Sequence, residues 1–102
     1  MVKKAAPPSR PYREWLIEHL KSRKNAAAYL EAAIEEGDAA ALMLALRNIA
    51  DAHGGVGAIA QETGLRRETL YRTLSKKGNP QLKSLSAILA AVGLKLSVKP
   101  AA

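Results

Sequence analysis

Apolar residues return every three or four positions along most of this chain, which is the period of amphipathic helices and not that of strands. A first helix is predicted from Pro11 to about Ser22, because proline suits the first helical turn, where its missing N–H is not needed. A second helix is predicted between a capping Asn25 and a terminating Gly37. The recurring positions of the first helix are Tyr12, Trp15, Leu16, His19 and Leu20.

The longest apolar face belongs to a third predicted helix, which is capped by Asp38 and ends at Gly54. Its helical stripe is widened by Met43 and Leu44, so we expect this helix to be central and buried on more than one side. Three shorter helices are predicted after it. They begin at Val56, near Arg66 or Arg67, and shortly after Pro80, and Gly64 and Gly93 end the first and the third of them.

The tail beyond the last predicted helix changes its period. Leu94, Leu96 and Val98 alternate with polar residues, as in a half-buried strand. Because a lone strand in a helical domain needs a partner for its backbone, pairing with the same strand of a second subunit would give a two-fold dimer. The alternative is that the tail folds onto the helices of its own chain.

The composition supports a single helical domain. The 102 residues include 20 Ala and 14 Leu against one Trp, three Tyr and no Phe, which excludes a β-sandwich or barrel. Without cysteine there is no disulfide, thiolate metal site or cysteine nucleophile.

Residues 1–9 carry two prolines and two lysines and predict a disordered N-terminal segment, not a signal peptide. The longest uncharged apolar run, residues 39–46, is far below the roughly 20 residues that span a bilayer, so we expect a cytoplasmic protein.

Charge is divided unevenly along the chain, whose net charge is +7. Residues 1–24 hold seven Lys or Arg against two acids, and residues 25–53 hold one Arg against five acids. Residues 54–102 hold eight Lys or Arg against two acids, a net charge of +6. A basic C-terminal half favours a polyanionic partner, because contacts to phosphates release counterions. A basic surface that only maintains solubility is the alternative.

The spacing of small and apolar residues between Ile59 and Leu74 is that of a helix-turn-helix, which we place at residues 56–75. Ala60 allows two helices to cross closely, and Gly64 permits the positive φ of a sharp turn. Leu70 and Leu74 then face the core, so the remaining side chains of the second helix point outward. An ordinary helical hairpin with a charged face is the alternative.

Two sets of DNA-contacting residues follow from this placement. Arginine bonds guanine and glutamate accepts from cytosine, so the outward side chains of the second helix are candidates for base recognition in the major groove. They are Arg66, Arg67, Glu68, Tyr71 and Arg72. Two groups of residues are candidates for phosphate contact. One is the glycine-rich start of the first helix of the helix-turn-helix, and the other is the polar residues beside its second helix. They are Gly55, Val56, Gly57, Gln61, Thr69, Ser75, Lys76, Lys77 and Asn79.

Residues 25–99 resemble the Xre-type addiction-module antidote proteins, the HigA-like antitoxins. The resemblance is carried by Tyr29-Leu30, Glu36-Gly37-Asp38, Ala45-Leu46, Ile49-Ala50, Ile59-Ala60, Glu62-Thr63-Gly64-Leu65, Arg67-Glu68-Thr69-Leu70-Tyr71, Leu74-Ser75, Gly78-Asn79-Pro80, Ala91-Val92-Gly93-Leu94 and Leu96. It implies an all-α, five- to six-helix domain of the lambda-repressor-like class, here with a short C-terminal strand. It also implies a dimer that represses its own operon on the nucleoid and neutralises a RelE/HigB-like toxin.

Two features depart from that family. Arg66 stands where a capping Ser or Thr is common, and no hydroxyl precedes the helix that starts at Val56. Residues 1–24, which include a separate amphipathic helix at residues 10–24, match the family least. Since toxins that act on ribosomal RNA are expected to be basic, we place a toxin interface on an acidic surface with aromatic anchors. Its candidates are Tyr12, Trp15, Leu16, Glu31, Glu35 and Glu36.

Catalysis is not expected, and neither is a metal or cofactor. The two histidines, His19 and His53, lie 34 positions apart on helix faces, and no phosphate-binding glycine loop follows a strand. Two alternatives to a repressor that binds a toxin stay open. One is an orphan transcriptional regulator without a toxin, and the other is a protein-binding antitoxin whose helix-turn-helix is only a scaffold.

Overall fold

The computed structural model describes residues 9–75 and 77–101, and this part of the chain folds into six helices. The all-α prediction is confirmed, and the number of helices agrees with the five or six expected. The helices are α1 (Arg10–His19), α2 (Arg23–Glu36), α3 (Ala39–Ala52), α4 (Val56–Thr63), α5 (Arg67–Thr73) and α6 (Leu82–Ala91).

Side-chain caps define where the first three helices begin. Ser9 accepts a hydrogen bond from the Tyr12 amide, and Ser22 accepts one from the Asn25 amide at 3.2 Å. The prediction that Asn25 itself caps α2 is therefore wrong by one turn. Its side chain instead donates to the His19 carbonyl oxygen at 3.0 Å, which ties the end of α1 to the start of α2. Asp38 caps α3 as predicted.

Helix α3 lies at the centre of the fold, as its broad apolar face predicts. It packs against α1, α2 and α4, while α4 also contacts α5 and α6. Leu46 and Ile49 of α3 are 1% and 2% exposed. Full burial of such a side chain contributes about 1.5–3 kcal/mol. Helix α3 supplies more buried residues than any other described helix. The other fully buried large side chains are Leu20, Met43, Ile59, Leu70, Leu74 and Ile88.

A polar network attaches α1 and α2 to α3. Arg13 donates to Asn48 Oδ1 at 3.0 Å and to Asp51 Oδ2 at 2.5 Å. Asn48 is buried, and its amide nitrogen donates to the Tyr29 hydroxyl at 2.9 Å. Since both polar ends of this side chain have partners, its burial is not penalised by a missing hydrogen bond.

The predicted C-terminal strand is not seen. Residues 94–101 have no regular secondary structure, and the described part of the chain contains no strand with which they could pair. The physical reason is that a strand is defined by hydrogen bonds to a neighbour, and the helices of one chain offer none. Helices long and apolar enough to cross a bilayer are absent from residues 9–75 and 77–101.

Candidate functional site

The turn between α4 and α5 forms as the sequence predicts. Gly64 ends α4 in the left-handed region, with φ of 78°, and its amide donates to the Ala60 carbonyl at 2.9 Å. Thr63 secures the same turn, because its hydroxyl donates to the Ile59 carbonyl and accepts from the Leu65 amide at 3.1 Å. This role of Thr63 was not predicted, although a threonine hydroxyl commonly bonds the backbone two residues further on at a turn.

Helix α5 buries one face and exposes the other. Leu70 and Leu74 are 0% and 1% exposed and face the core. The candidates for base recognition all lie on the exposed surface, and Tyr71 is 62% exposed. They are Arg66, Arg67, Glu68, Tyr71 and Arg72. Five side chains with hydrogen-bonding capacity are therefore accessible on α5 or at its N-terminus.

Arg67 also joins the starts of α4 and α5. Its guanidinium lies against Gly57, so closely that a Cβ built on this glycine would be 2.9 Å from Arg67 Nη2. A cation is therefore held beside the N-terminal turn of α4, where Gly55 supplies no side-chain cap. The predicted phosphate candidates Gly55, Val56 and Gly57 are half-buried at this turn, and Gln61 is exposed on the next one.

A polar groove of about 510 Å³ lies beside α5 and collects most of the other phosphate candidates. Arg72 of the base-recognition set lines the same groove, and the Ser75 hydroxyl there donates to the Arg72 carbonyl at 2.9 Å. The predicted residues that line it are Thr69, Arg72, Ser75, Lys77 and Asn79. Lys76 was predicted to join them, but it lies outside the described residues.

The candidates for toxin contact divide into exposed and buried residues. Tyr12 and Trp15 are 47% and 55% exposed, with ring centroids 5.8 Å apart, and Trp15 stacks on His19 at 4.6 Å. Leu16 differs from the prediction, because it is 5% exposed and packs in the core. The acidic candidates Glu31, Glu35 and Glu36 are all exposed on α2.

The candidates for dimerisation lie along the unpaired tail. Leu94 is half-buried against the core, Leu96 is 44% exposed and Val98 is 97% exposed. Leu94 and Leu96 line a shallow groove together with Leu30 and Ile34 of α2. The tail thus begins against the helices of its own chain, and the exposed fraction of its apolar side chains increases toward the C-terminus.

This helical fold, with a glycine turn between two short helices and polar side chains on the second, is compatible with a small all-α domain of the helix-turn-helix-like class. A family model for probable addiction module antidote proteins matches residues 15–100. The chain belongs to this family. It is also 33% identical over 84 residues to an uncharacterised protein of Haemophilus influenzae, a match that covers 82% of this chain and 86% of the relative. No solved structure matches the chain.

Membership of an antidote family implies a toxin partner of some kind. The match begins at Trp15, so it includes part of α1 as well as the helices that the resemblance covered. The family match therefore extends further toward the N-terminus than residue 25, where the predicted resemblance starts, and takes in the second half of α1.

Proposed function

We propose that this antidote protein is an Xre-type, HigA-like antitoxin that binds operator DNA as a homodimer. In this proposal α5 enters the major groove, α4 lies across the backbone, and binding represses the protein's own operon. The protein also binds and neutralises a RelE/HigB-like toxin. Neither activity requires a metal, a cofactor or catalytic chemistry from this chain.

The observation that carries the DNA-binding proposal is the distribution of side chains around α5. The exposed side chains on α5 and at its N-terminus include Arg66, Glu68, Tyr71 and Arg72. The groove beside the helix is lined by the phosphate candidates Lys77 and Asn79. DNA recognition needs both classes of contact, because phosphate contacts fix the register of a protein and base contacts provide specificity. A helical hairpin that only supports the core would need neither.

Toxin binding is assigned to the exposed aromatic pair on α1 and the acidic face of α2. Trp and Tyr are common at the energetic centres of interfaces, and Trp15 is more than half exposed although it is the only tryptophan of the chain. Carboxylates on α2 complement a basic toxin and increase its rate of association. Leu16, which is buried, has only a supporting role under this proposal.

Dimerisation is assigned to the tail. Leu96 and Val98 are exposed, and the main chain of residues 95–101 forms neither helix nor sheet. Two such tails related by a two-fold axis would satisfy each other's backbone and cover both sets of apolar side chains.

Titration of labelled DNA by fluorescence anisotropy tests the DNA-binding proposal. The purified protein is added to a duplex from upstream of its own gene and to a scrambled duplex, each at two salt concentrations. A preference of roughly a thousandfold or more, with a salt slope that reports several phosphates, supports a specific repressor. Equal affinity for both duplexes, or binding that is lost at physiological salt, contradicts it.

Matched variants separate the two classes of contact. Loss of Arg67 or Arg72 should weaken binding to the upstream duplex by about 1–3 kcal/mol and reduce the preference, because a base contact is removed. Loss of Lys77 should weaken binding to both duplexes alike and lower the salt slope by about one. Equal losses of affinity for the two duplexes in all three variants would contradict the assignment of α5 as the recognition helix.

The same variants address the scaffold alternative. If the helix-turn-helix is only a scaffold, R72A binds DNA no differently from the wild-type protein and protects cells from the toxin equally well. A RelE-like toxin gene adjacent to the gene of this protein would argue against an orphan regulator.

A further inference from the structure

The end of α5 is held by a side chain from the centre of the fold. The Arg47 guanidinium, which belongs to α3, donates from Nη1 to the carbonyl oxygen of Leu74. Leu74 is the C-terminal capping residue of α5, and it is 1% exposed. Among the described residues, Arg47 is the one side chain from another helix that forms a hydrogen bond to this segment.

Few other directional contacts fix the orientation of α5. The helix has seven residues, and Arg66 at its N-terminus makes no side-chain capping bond. A helix this short is unstable alone and depends on tertiary contacts. Leu70 and Leu74 supply apolar burial, which sets the face that α5 turns toward the core. Because apolar contacts are non-directional, they define the exact position of the helix less sharply than a hydrogen bond does.

A hydrogen bond from a charged donor supplies the direction that apolar contacts lack. The guanidinium stands at the C-terminal end of α5, where a cation is favoured by the helix dipole. Arg47 and Tyr71 also line a common groove between α1, α3 and α5, so the arginine lies beside a candidate for base recognition.

We infer that Arg47 is a positioning residue for sequence recognition, which sets the orientation of α5 relative to α3. Through its hydrogen bond to the Leu74 carbonyl, Arg47 fixes the position of Tyr71 and Arg72 relative to the base edges. A displacement of α5 by about 1 Å would weaken hydrogen bonds from its side chains to the bases, because hydrogen bonds weaken steeply away from their preferred geometry. The inference rests on the proposed DNA-binding function, and it assigns to Arg47 no contact with DNA.

Three variants test this role. R47M keeps the length of the side chain and removes its donors, R47K retains a charge and a donor, and R10M removes one exposed charge from α1 as the control. Two properties are measured, namely the ratio of affinities for the upstream and scrambled duplexes, and amide hydrogen exchange of α5 relative to α6 in the free protein.

R47M should lower the affinity ratio about tenfold, the equilibrium equivalent of one lost charge-assisted hydrogen bond, and accelerate exchange in α5 more than in α6. R47K should fall between R47M and the wild-type protein on both measures. R10M should weaken binding to both duplexes equally and leave the exchange of α5 unchanged. Unchanged α5 exchange in R47M, or equal losses on the two duplexes, would overturn the inference.

The exchange measurement separates this inference from the proposed function. If the wild-type protein does not discriminate between the duplexes, the DNA-binding proposal fails, and α5 exchange still decides whether Arg47 holds the helix. If R47M does not fold, R47K takes its place. Selective acceleration of exchange in α5 then supports the positioning role, and an unchanged rate contradicts it.

Discussion

Replacing Asn48 with alanine should loosen α1 and α2 from the rest of the fold. The side chain is 6% exposed, accepts from Arg13 at 3.0 Å and donates to the Tyr29 hydroxyl at 2.9 Å. A hydrogen bond to a charged group contributes about 1.5–3 kcal/mol and a neutral one about 0.5–1.5 kcal/mol. Because the Arg13 side chain is 46% exposed, we take the low end for its bond and expect a total loss of about 2–3 kcal/mol.

Urea unfolding followed by two signals measures this loss. Circular dichroism reports all six helices, and fluorescence of Trp15, the only tryptophan, reports the environment of α1. D51N is the matched control, since it weakens the more exposed half of the Arg13 contacts and should cost less than about 1 kcal/mol. Y29F should cost about 0.5–1.5 kcal/mol. The reasoning is refuted if N48A is no more destabilising than D51N.

Three further predictions concern the other elements. L70A should destabilise the fold by about 2–5 kcal/mol in a thermal or urea melt, because a 0% exposed leucine anchors α5. G78A should cost about 1–3 kcal/mol in the same assay, since a Cβ there would lie 2.0 Å from the Thr73 carbonyl oxygen, and a wild-type melting curve would contradict that contact. L96K combined with V98K should convert a dimer to a monomer in light scattering, and an unchanged mass would exclude the tail as the dimer contact.

The sequence predicted those parts of the fold that depend on local periodicity. The bounds of α3 and the left-handed Gly64 follow from residue types within a few positions of each other. The error at Asn25 arose because Ser22 is also a good cap, and the choice depends on how α1 ends at His19. The strand prediction failed for a different reason, since alternation identifies a sequence able to pair but does not supply the partner.

The side-chain bonds that tie the helices together could not be predicted from these patterns. Arg13 and Asn48 are 35 positions apart, and Arg47 and Leu74 are 27 positions apart. Periodicity marks Arg13 and Arg47 only as polar residues on helical segments, which usually face water. Their partners are decided by how three helices cross, which depends on the packing of the whole core.

Adjacent positions of α3 therefore serve different neighbours. Arg47 bonds α5, while Asn48 bonds both α1 and α2. The proposed toxin-binding surface on α1 and α2 and the proposed DNA-binding surface on α5 are thus anchored to the same turn of one helix. Since α3 contributes more buried residues to the core than any other described helix, both surfaces are held on the element that is most extensively packed. A substitution that shifts this turn should impair toxin binding and DNA binding together, whereas substitutions at Trp15 or Arg72 should impair only one of the two.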